Sequence, residues 1–127
     1  MGQPTVMVAE DFADTRFLLK VLLERRGCRV IEAADGLEAV KLAERERPDL
    51  ILMDLNLPVL DGCAATTRIR EHDALQTVPI VAVSAYLRED WEWKARARQA
   101  GFTDYVTKPL DLDQLDNLLN HHLKHSV

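Results

Sequence analysis

The sequence predicts an α/β fold, namely a doubly wound, five-stranded parallel sheet with five helices on its two faces. Five short aliphatic runs are each followed by a helix-like stretch. The runs occupy residues 5–9, 29–33, 50–53, 80–83 and 104–107. The third and fourth runs are apolar on both faces, which is typical of central parallel strands that helices cover. A chain of 127 residues has the size of one ordinary domain, so we expect residues 1–127 to form a single unit.

Helical periodicity defines the stretches between these runs. They occupy residues 14–26, residues 37–46, a segment after Asp61-Gly62, residues 89–100, and a segment after Lys108-Pro109. Gly27, Pro48 and Gly101 mark the ends of the first, second and fourth stretches. The apolar residues that share a helix face, and are therefore expected to pack inward, are Phe17, Leu18, Val21 and Leu22; Ala39, Val40 and Ala43; Ala65 and Ile69; and Leu112, Leu115, Leu118 and Leu119.

Composition narrows the class of partners and the compartment. The formal net charge is -5 and the chain has no basic stripe, which argues against direct contact with nucleic acid. No apolar run is long enough to span a bilayer, so we expect no membrane association. Cys28 and Cys63 lie far apart without metal-ligand spacing, which favours free thiols in a reducing compartment. The expected location is the cytoplasm.

Three acidic residues follow two of the predicted strands. In a doubly wound sheet the ligand site lies at the carboxyl ends of the strands, where Glu10 and Asp11 follow the first strand and Asp54 follows the third. Carboxylates that converge repel one another unless a cation is bound. Mg²⁺ suits such a site because it prefers oxygen ligands, and the backbone carbonyl of Asn56 offers a further oxygen.

A hydroxyl and an ammonium group follow the last two strands. Ser84 comes after the fourth strand and Lys108 after the fifth, and both side chains suit the binding of phosphate oxygens. Together with the acidic residues they indicate phosphoryl transfer, in which Asp54 attacks phosphorus while the other groups neutralise charge.

The combined motifs carry a resemblance to a known family. They are Glu10-Asp11, the Met-Asp-Leu-Asn-Leu-Pro segment at residues 53–58, Asp61-Gly62, Ser84-Ala85 and Lys108-Pro109. In this order and spacing they resemble the receiver domain of two-component response regulators, over essentially the whole chain. The resemblance implies a flavodoxin-like strand order 2-1-3-4-5. It also implies a signalling switch that assists its own phosphorylation and dephosphorylation, without being an enzyme that acts on other substrates.

The resemblance also implies the acceptor, the metal site and the partners. Asp54 would be the phosphoacceptor, and Glu10, Asp11, Asp54 and the Asn56 carbonyl would hold Mg²⁺ or Mn²⁺. The donor would be the phosphohistidine of a histidine kinase or of a histidine phosphotransfer protein. The fourth helix, fifth strand and fifth helix would form the surface that binds a downstream protein, and the domain would be a monomer or a weak dimer.

Further roles follow from the same resemblance. Ser84 and Lys108 would bind the phosphoryl group, and Ser84 and Tyr105 would move when the switch operates. Asn56 and Tyr86 would set the lifetime of the aspartyl phosphate, with the Tyr86 ring limiting access of water. The Lys108-Pro109 peptide bond would be cis. For Tyr105 a half-buried strand aromatic without a switch role is the alternative.

Two other functions compete with this interpretation. Phosphatases of the haloacid dehalogenase type use an aspartyl nucleophile after the first strand with a second Asp two residues later, whereas here the third strand carries Asp54 and position 56 is Asn. A phosphorylation-independent interaction module with the same fold is the second alternative. The presence of the acidic, hydroxyl and lysine groups together argues against it.

Three features of the sequence lie outside the main pattern. The segment from Ser84 to Gly101 is longer than in familiar members and contains Trp91 and Trp93, which serve either as partner anchors or as packing residues. Phe12 follows the acidic pair where a polar residue is common. His121, His122 and His125 are interpreted as residues that oppose the helix dipole, since they offer no closed set of metal ligands.

Overall fold

The computed structural model describes residues 2–85 and 91–123, apart from the side chains of residues 91–93. The strands are β1 (Thr5–Ala9), β2 (Arg29–Ala33), β3 (Leu50–Asp54), β4 (Ile80–Ser84) and β5 (Asp104–Thr107). The helices are α1 (Ala13–Arg25), α2 (Gly36–Glu46), α3 (Gly62–Arg70), α4 (Trp91–Ala100) and α5 (Leu112–His122), with a short 3-10 helix at Asp73–Leu75. The predicted strands differ from these bounds only by one residue at the ends of β3 and β4.

The five strands form one parallel sheet in the order β2-β1-β3-β4-β5. This confirms the predicted flavodoxin-like order. The chain moves outward from β1 to β2 and then returns to the other side of β1 with β3. The loops after β1 and β3 therefore leave the sheet on opposite sides of one crevice, which is where ligands bind in sheets of this kind.

Alternate strand residues build two separate cores. Met7, Ile51 and Ile80 belong to a core shared with α2, α3 and α4. Val8 and Leu52 belong to the core on the other face, which α1 and α5 cover. The central strands β3 and β4 are buried along their whole length, as the sequence predicted.

Helix faces agree with the prediction in α2 and α3 but not throughout α1 and α5. Phe17 is 63% exposed and Leu18 is 57% exposed, whereas Leu19 and Leu23 of α1 are buried. The predicted α1 face is therefore wrong in these two residues. Leu19 and Leu23 are four residues apart and form a narrow stripe, from which Phe17 and Leu18 are rotated by about 200° and 100° around the helix. Leu112, the first residue of α5, is exposed as well.

The helices differ in how they begin. Asp35, Asp61 and Asp111 cap α2, α3 and α5, each by accepting a backbone N–H of the first turn with its carboxylate. Phe12 precedes α1 and provides no side-chain cap. For α4 the predicted start at residue 89 lies outside the described residues.

Two further expectations concern the thiols and the membrane. Cys28 is buried, Cys63 is half-buried, and neither forms a disulfide within the described part of the chain. Among the described residues there is no helix with the length and apolar character needed to cross a bilayer.

Candidate functional site

Three carboxylates meet where β1 and β3 end. Glu10 and Asp11 follow β1 directly, and Asp54 is the last residue of β3. The two strands are neighbours, with Ala9 paired to Met53, so the residues after them reach the same edge of the sheet. One carboxylate oxygen from each acidic residue lies within 4.8 Å of the other two. Glu10 and Asp54 are 3% and 4% exposed, and Asp11 is open to solvent.

The main chain and side chain of Glu10 are both held. Its N–H donates to the carbonyl of Ala33 at 3.0 Å, and its Oε2 accepts the N–H of Phe12 at 3.0 Å. Burial raises the pKa of Glu10, and the nearby Asp54 charge adds to this, while Lys108 and the Phe12 N–H oppose it. The buried carboxylate is thus held in place but lacks enough positive charge to offset its burial.

Lys108 supplies the one cation found between these carboxylates in the described structure. Its Nζ lies 2.6 Å from Glu10 Oε1 and 2.9 Å from Asp54 Oδ2. Burial lowers the pKa of Lys108, but its hydrogen bonds to Glu10 and Asp54 outweigh burial and the pKa is raised. One ammonium group therefore serves two carboxylates, which explains why the pKa of Lys108 rises while that of Glu10 is not brought down.

The loop after β3 fixes the second oxygen of Asp54. Oδ1 accepts the N–H of Asn56 at 3.0 Å. The loop then returns over β3, because the N–H of Gly62 donates to the carbonyl of Leu55 at 3.1 Å. A Cβ atom at Gly62 would lie only 2.4 Å from the Asp54 carbonyl oxygen, so this close approach requires glycine. Both oxygens of Asp54 consequently have fixed donors.

Ser84 and Lys108 extend the site along the same edge. Val83 pairs with Asp54, so Ser84 lies one residue beyond Asp54 in the register of the sheet. Ser84 is buried and pairs with Thr107 of β5, and its carbonyl accepts the N–H of Lys108 at 2.8 Å. The peptide bond from Lys108 to Pro109 is cis. The β4 and β5 ends thereby bring a hydroxyl and an ammonium group to the edge that holds the acidic cluster.

The donor set fits a divalent cation with a preference for oxygen. The three acidic side chains come from two neighbouring strand ends and offer hard oxygen ligands, and the exposure of Asp11 leaves a path from solvent. Lys108 neutralises only part of the carboxylate charge. A bound divalent cation would complete the neutralisation of the cluster.

Comparison with known proteins identifies the family. The family model of the response regulator receiver domain matches residues 6–120. The chain is a response regulator receiver domain. Its family acts in two-component signalling, and receiver domains are signalling switches that interact with histidine kinases and downstream targets.

Individual relatives support the same conclusion. The receiver domain is 35% identical to the polar-differentiation response regulator DivK of Brucella anthropi over 94% of this chain and 95% of that protein. It is 38% identical to the receiver domain of a sensor histidine kinase from Pseudomonas aeruginosa, with a TM-score of 0.87 over 98% and 100% of the two chains. That crystal structure holds a magnesium ion coordinated in its active-site cleft. The chemotaxis protein CheY4 of Vibrio cholerae is 26% identical, with a TM-score of 0.89 over 95% and 99% of the chains.

Of the other residues named in the sequence analysis, Tyr105 lies within the described structure and several others lie outside it. Tyr105 is half-buried in β5, packs against the core under α2, α3 and α4, and its hydroxyl donates to the carbonyl of Lys94 in α4 at 3.4 Å. Tyr86 and His125 lie outside the described residues, as do the side chains of Trp91 and Trp93. The predictions that rest on these four residues are therefore not tested by the described structure and stay predictions.

The described histidines of α5 do not join a metal cluster. Nε2 of His122 lies 3.2 Å from Asp104 Oδ2 at the start of β5, and the ring of His121 packs edge-on against that of His122. The acidic cluster of Glu10, Asp11 and Asp54 is the only group with metal-ligand geometry among the described residues.

Sequence reasoning missed two contacts of the receiver-domain site. It assigned Lys108 to the phosphoryl group and did not foresee its ion pair with Glu10. It also gave no role to Arg16, whose Nη1 donates to the carbonyl of Glu10 at 2.8 Å. A basic residue one turn into the helix that follows the acidic pair is the only sequence signal for this second contact.

Proposed function

We propose that the receiver domain accepts a phosphoryl group on Asp54 from the phosphohistidine of a histidine kinase or of a histidine phosphotransfer protein. The observation that carries this proposal is the position of Lys108 Nζ, which lies 2.9 Å from Asp54 Oδ2 beside two further carboxylates. A buried carboxylate with a fixed ammonium partner is suited to nucleophilic attack at an anionic phosphorus centre. Family membership supports the same assignment.

The proposed reaction follows from the donors around Asp54. The Asn56 N–H and the Lys108 ammonium orient the two carboxylate oxygens, one of which attacks phosphorus. The P–O bond forms as the P–N bond to the histidine breaks, and the imidazole nitrogen keeps the electron pair. Lys108 then pairs with a phosphoryl oxygen, and the Ser84 hydroxyl donates to another.

The metal is part of the same proposal. Glu10, Asp11 and Asp54 would hold Mg²⁺ or Mn²⁺ through carboxylate oxygens, with the Asn56 main-chain carbonyl as a further ligand. The bound ion supplies positive charge that offsets the negative charge on the phosphoryl oxygens. The same groups assist the later hydrolysis by water, and Asn56 and Tyr86 set its rate.

The proposed output is a change of the α4–β5–α5 surface, which binds a downstream protein. Tyr105 links two parts of this surface, because it belongs to β5 and its hydroxyl contacts the Lys94 carbonyl of α4. The register of β4 and β5 joins Ser84 to Thr107, two residues beyond Tyr105. Movement of the Ser84 hydroxyl toward a phosphoryl group therefore acts next to the strand that carries Tyr105, and it shifts the population of two surface conformations.

The setting of the domain is also proposed. Residues 1–127 act as a single receiver domain, as a monomer or a weak dimer, in the cytoplasm. The unpaired thiols of Cys28 and Cys63 support a reducing compartment. The net charge of -5 supports protein partners over direct contact with nucleic acid.

The test compares Asp54→Asn with Asp73→Asn, which removes the same charge at an exposed position of the 3-10 helix. Both variants and the wild type are incubated with Mg²⁺ and either a small acyl phosphate or a phosphorylated histidine kinase. We expect a hydroxylamine-sensitive phosphoryl group on the wild type and on Asp73→Asn, and none on Asp54→Asn. Undiminished labelling of Asp54→Asn would exclude the proposal.

The same assay separates the two alternatives. A phosphatase would release inorganic phosphate from phosphate esters with repeated turnover, in a manner that needs Asp54. An interaction module without phosphorylation would remain unlabelled in all three proteins.

A further inference from the structure

The turn that carries Glu10 and Asp11 leads into a helix without a side-chain cap. Asp side chains cap α2, α3 and α5, whereas Phe12 precedes α1 and its side chain has no acceptor. The first turn of α1 is closed by the main chain, with the N–H of Arg16 donating to the Phe12 carbonyl at 3.0 Å. The conformation of the acidic turn must therefore be fixed by contacts other than a cap.

Arg16 makes one such contact, with the main chain of the acidic turn. Its Nη1 donates to the carbonyl oxygen of Glu10 at 2.8 Å, and its Nε lies 3.4 Å from Glu32 Oε1. The guanidinium thus joins the turn after β1 to the side chain of Glu32 in β2. Its planar arrangement of donors allows both contacts at once. Only 21% of the Arg16 side chain is exposed, so the contact is largely shielded from water.

We propose that Arg16 is a positioning residue for the divalent cation. By holding the main chain of Glu10 it keeps the carboxylates of Glu10 and Asp11 directed toward Asp54, and so increases the affinity of the cluster for Mg²⁺. The proposal rests on the proposed function of this cluster as a Mg²⁺ site. Arg16 contacts a main-chain oxygen and not the carboxylates of the cluster, so it orients the ligands without occupying their oxygens.

Charge and geometry predict opposite effects for the loss of Arg16. If Arg16 acted only as a positive charge near the cluster, its removal would increase the affinity for a divalent cation. If it positions the ligands, its removal decreases that affinity. Groups that orient metal ligands from outside the coordination sphere typically change metal affinity by about ten- to a hundredfold. The direction of the change therefore separates the two roles.

Lys20 provides the matched control. It lies one turn further along α1, and its Nζ is 3.8 Å from Glu32 Oε2. Lys20→Met and Arg16→Met remove the same charge from the same helix and the same acidic partner, but only Arg16 contacts Glu10. A decrease in affinity that occurs in Arg16→Met but not in Lys20→Met therefore reports the contact with the Glu10 carbonyl.

The experiment is a Mg²⁺ titration of the wild type, Arg16→Met and Lys20→Met without any phosphoryl donor, followed by the amide signals of Asp11 and Asn56 in NMR spectra. We expect the dissociation constant to rise about tenfold for Arg16→Met. For Lys20→Met we expect an unchanged or lower value. A dissociation constant of Arg16→Met equal to or below that of the wild type would overturn the proposal.

Two additions keep the result unambiguous. Hydrogen exchange of the Phe12 and Arg16 amides in metal-free protein is expected to accelerate in Arg16→Met and to stay unchanged in Lys20→Met. Equal exchange in all three proteins would overturn the positioning role.

If Arg16→Met does not fold, Arg16→Lys preserves the charge without the two simultaneous contacts of the guanidinium, and an unchanged Mg²⁺ affinity of that variant would overturn the proposal. If the wild type itself shows no saturable binding of Mg²⁺, the metal site of the proposed function fails instead.

Discussion

Lys108 and Glu10 follow β5 and β1, two strands that β3 and β4 separate, and yet their side chains form an ion pair with an Nζ to Oε1 distance of 2.6 Å. The same ammonium group lies 2.9 Å from Asp54. A single lysine thus lies between two buried carboxylates and compensates part of their charge. This makes Lys108 a structural residue as well as a candidate ligand of the phosphoryl group.

Replacing Lys108 by Met should destabilise the metal-free protein. The substitution leaves the buried carboxylates of Glu10 and Asp54 facing each other without a cation. Loss of one partner from a buried ion pair costs several kcal/mol, and because Lys108 is partly exposed we expect a decrease of about 2 to 4 kcal/mol in the free energy of unfolding. Urea unfolding in the presence of a chelator measures this value.

Two controls accompany the Lys108→Met variant. The double variant Glu10→Gln, Lys108→Met should be more stable than Lys108→Met alone, because only one buried charge then lacks a partner. Excess Mg²⁺ should stabilise Lys108→Met more than the wild type, since it binds a cluster that has lost its own cation. A Lys108→Met protein with wild-type stability in chelator would show that the ion pairs contribute nothing.

The free energy of unfolding should depend on pH through the ionisation of Lys108. The pKa of Lys108 is raised above its ordinary value of 10.5. Its stabilising contribution is therefore fully present below pH 10.5 and is lost as the pH rises from there through the higher pKa of the folded state. Unfolding free energies of the wild type should fall toward those of Lys108→Met over that interval. A constant difference between the two proteins across it would contradict the raised pKa.

The parts of the fold set by local pattern were predictable, and the orientation of α1 was not. Fully apolar runs identified β3 and β4 as central strands. In α1 apolar residues surround much of the helix, so periodicity alone did not select Leu19 and Leu23 over Phe17 and Leu18. The choice depends on how α1 and α5 share one face of the sheet, which is a tertiary property.

Alanine substitutions at adjacent positions test this orientation of α1. Leu19→Ala removes a buried side chain and should lower the free energy of unfolding by about 2 to 4 kcal/mol. Leu18→Ala removes an exposed one and should change it by about 0.5 kcal/mol or less. Urea denaturation of both variants measures the difference. The reverse order of the two effects would support the face predicted from the sequence.

The candidate site was predictable to the extent that strand ends define it. The rule that ligands bind at the carboxyl ends of parallel strands is enough to place Glu10, Asp11 and Asp54 at one site from the sequence. The contacts of Arg16 and the ion pair of Lys108 with Glu10 were missed because they join elements that are distant in sequence or in the sheet. No local spacing specifies which of several oxygens a long basic side chain reaches.

On the opposite face of the sheet from α1, Arg70 also joins distant segments by donating to main-chain carbonyls. Its Nε and Nη2 donate to the Gly101 carbonyl at 3.0 and 2.7 Å, and its Nη1 donates to the Leu75 carbonyl at 2.8 Å. The guanidinium thereby fixes the connection between α4 and β5 to the end of α3. Gly101 adopts a φ of 110°, so this connection also depends on a backbone conformation that favours glycine.

Arg70→Met should leave the carbonyls of Leu75 and Gly101 without their donors and lower the free energy of unfolding by about 2 kcal/mol. Arg68→Met removes the same charge from an exposed position of α3 and should change it by about 0.5 kcal/mol or less. Since the N–H of Thr103 donates to the Ile80 carbonyl at 2.8 Å, its exchange with solvent should accelerate in Arg70→Met before global unfolding. Equal stability and equal Thr103 exchange in the two variants would show that the guanidinium does not hold the α4–β5 connection in place.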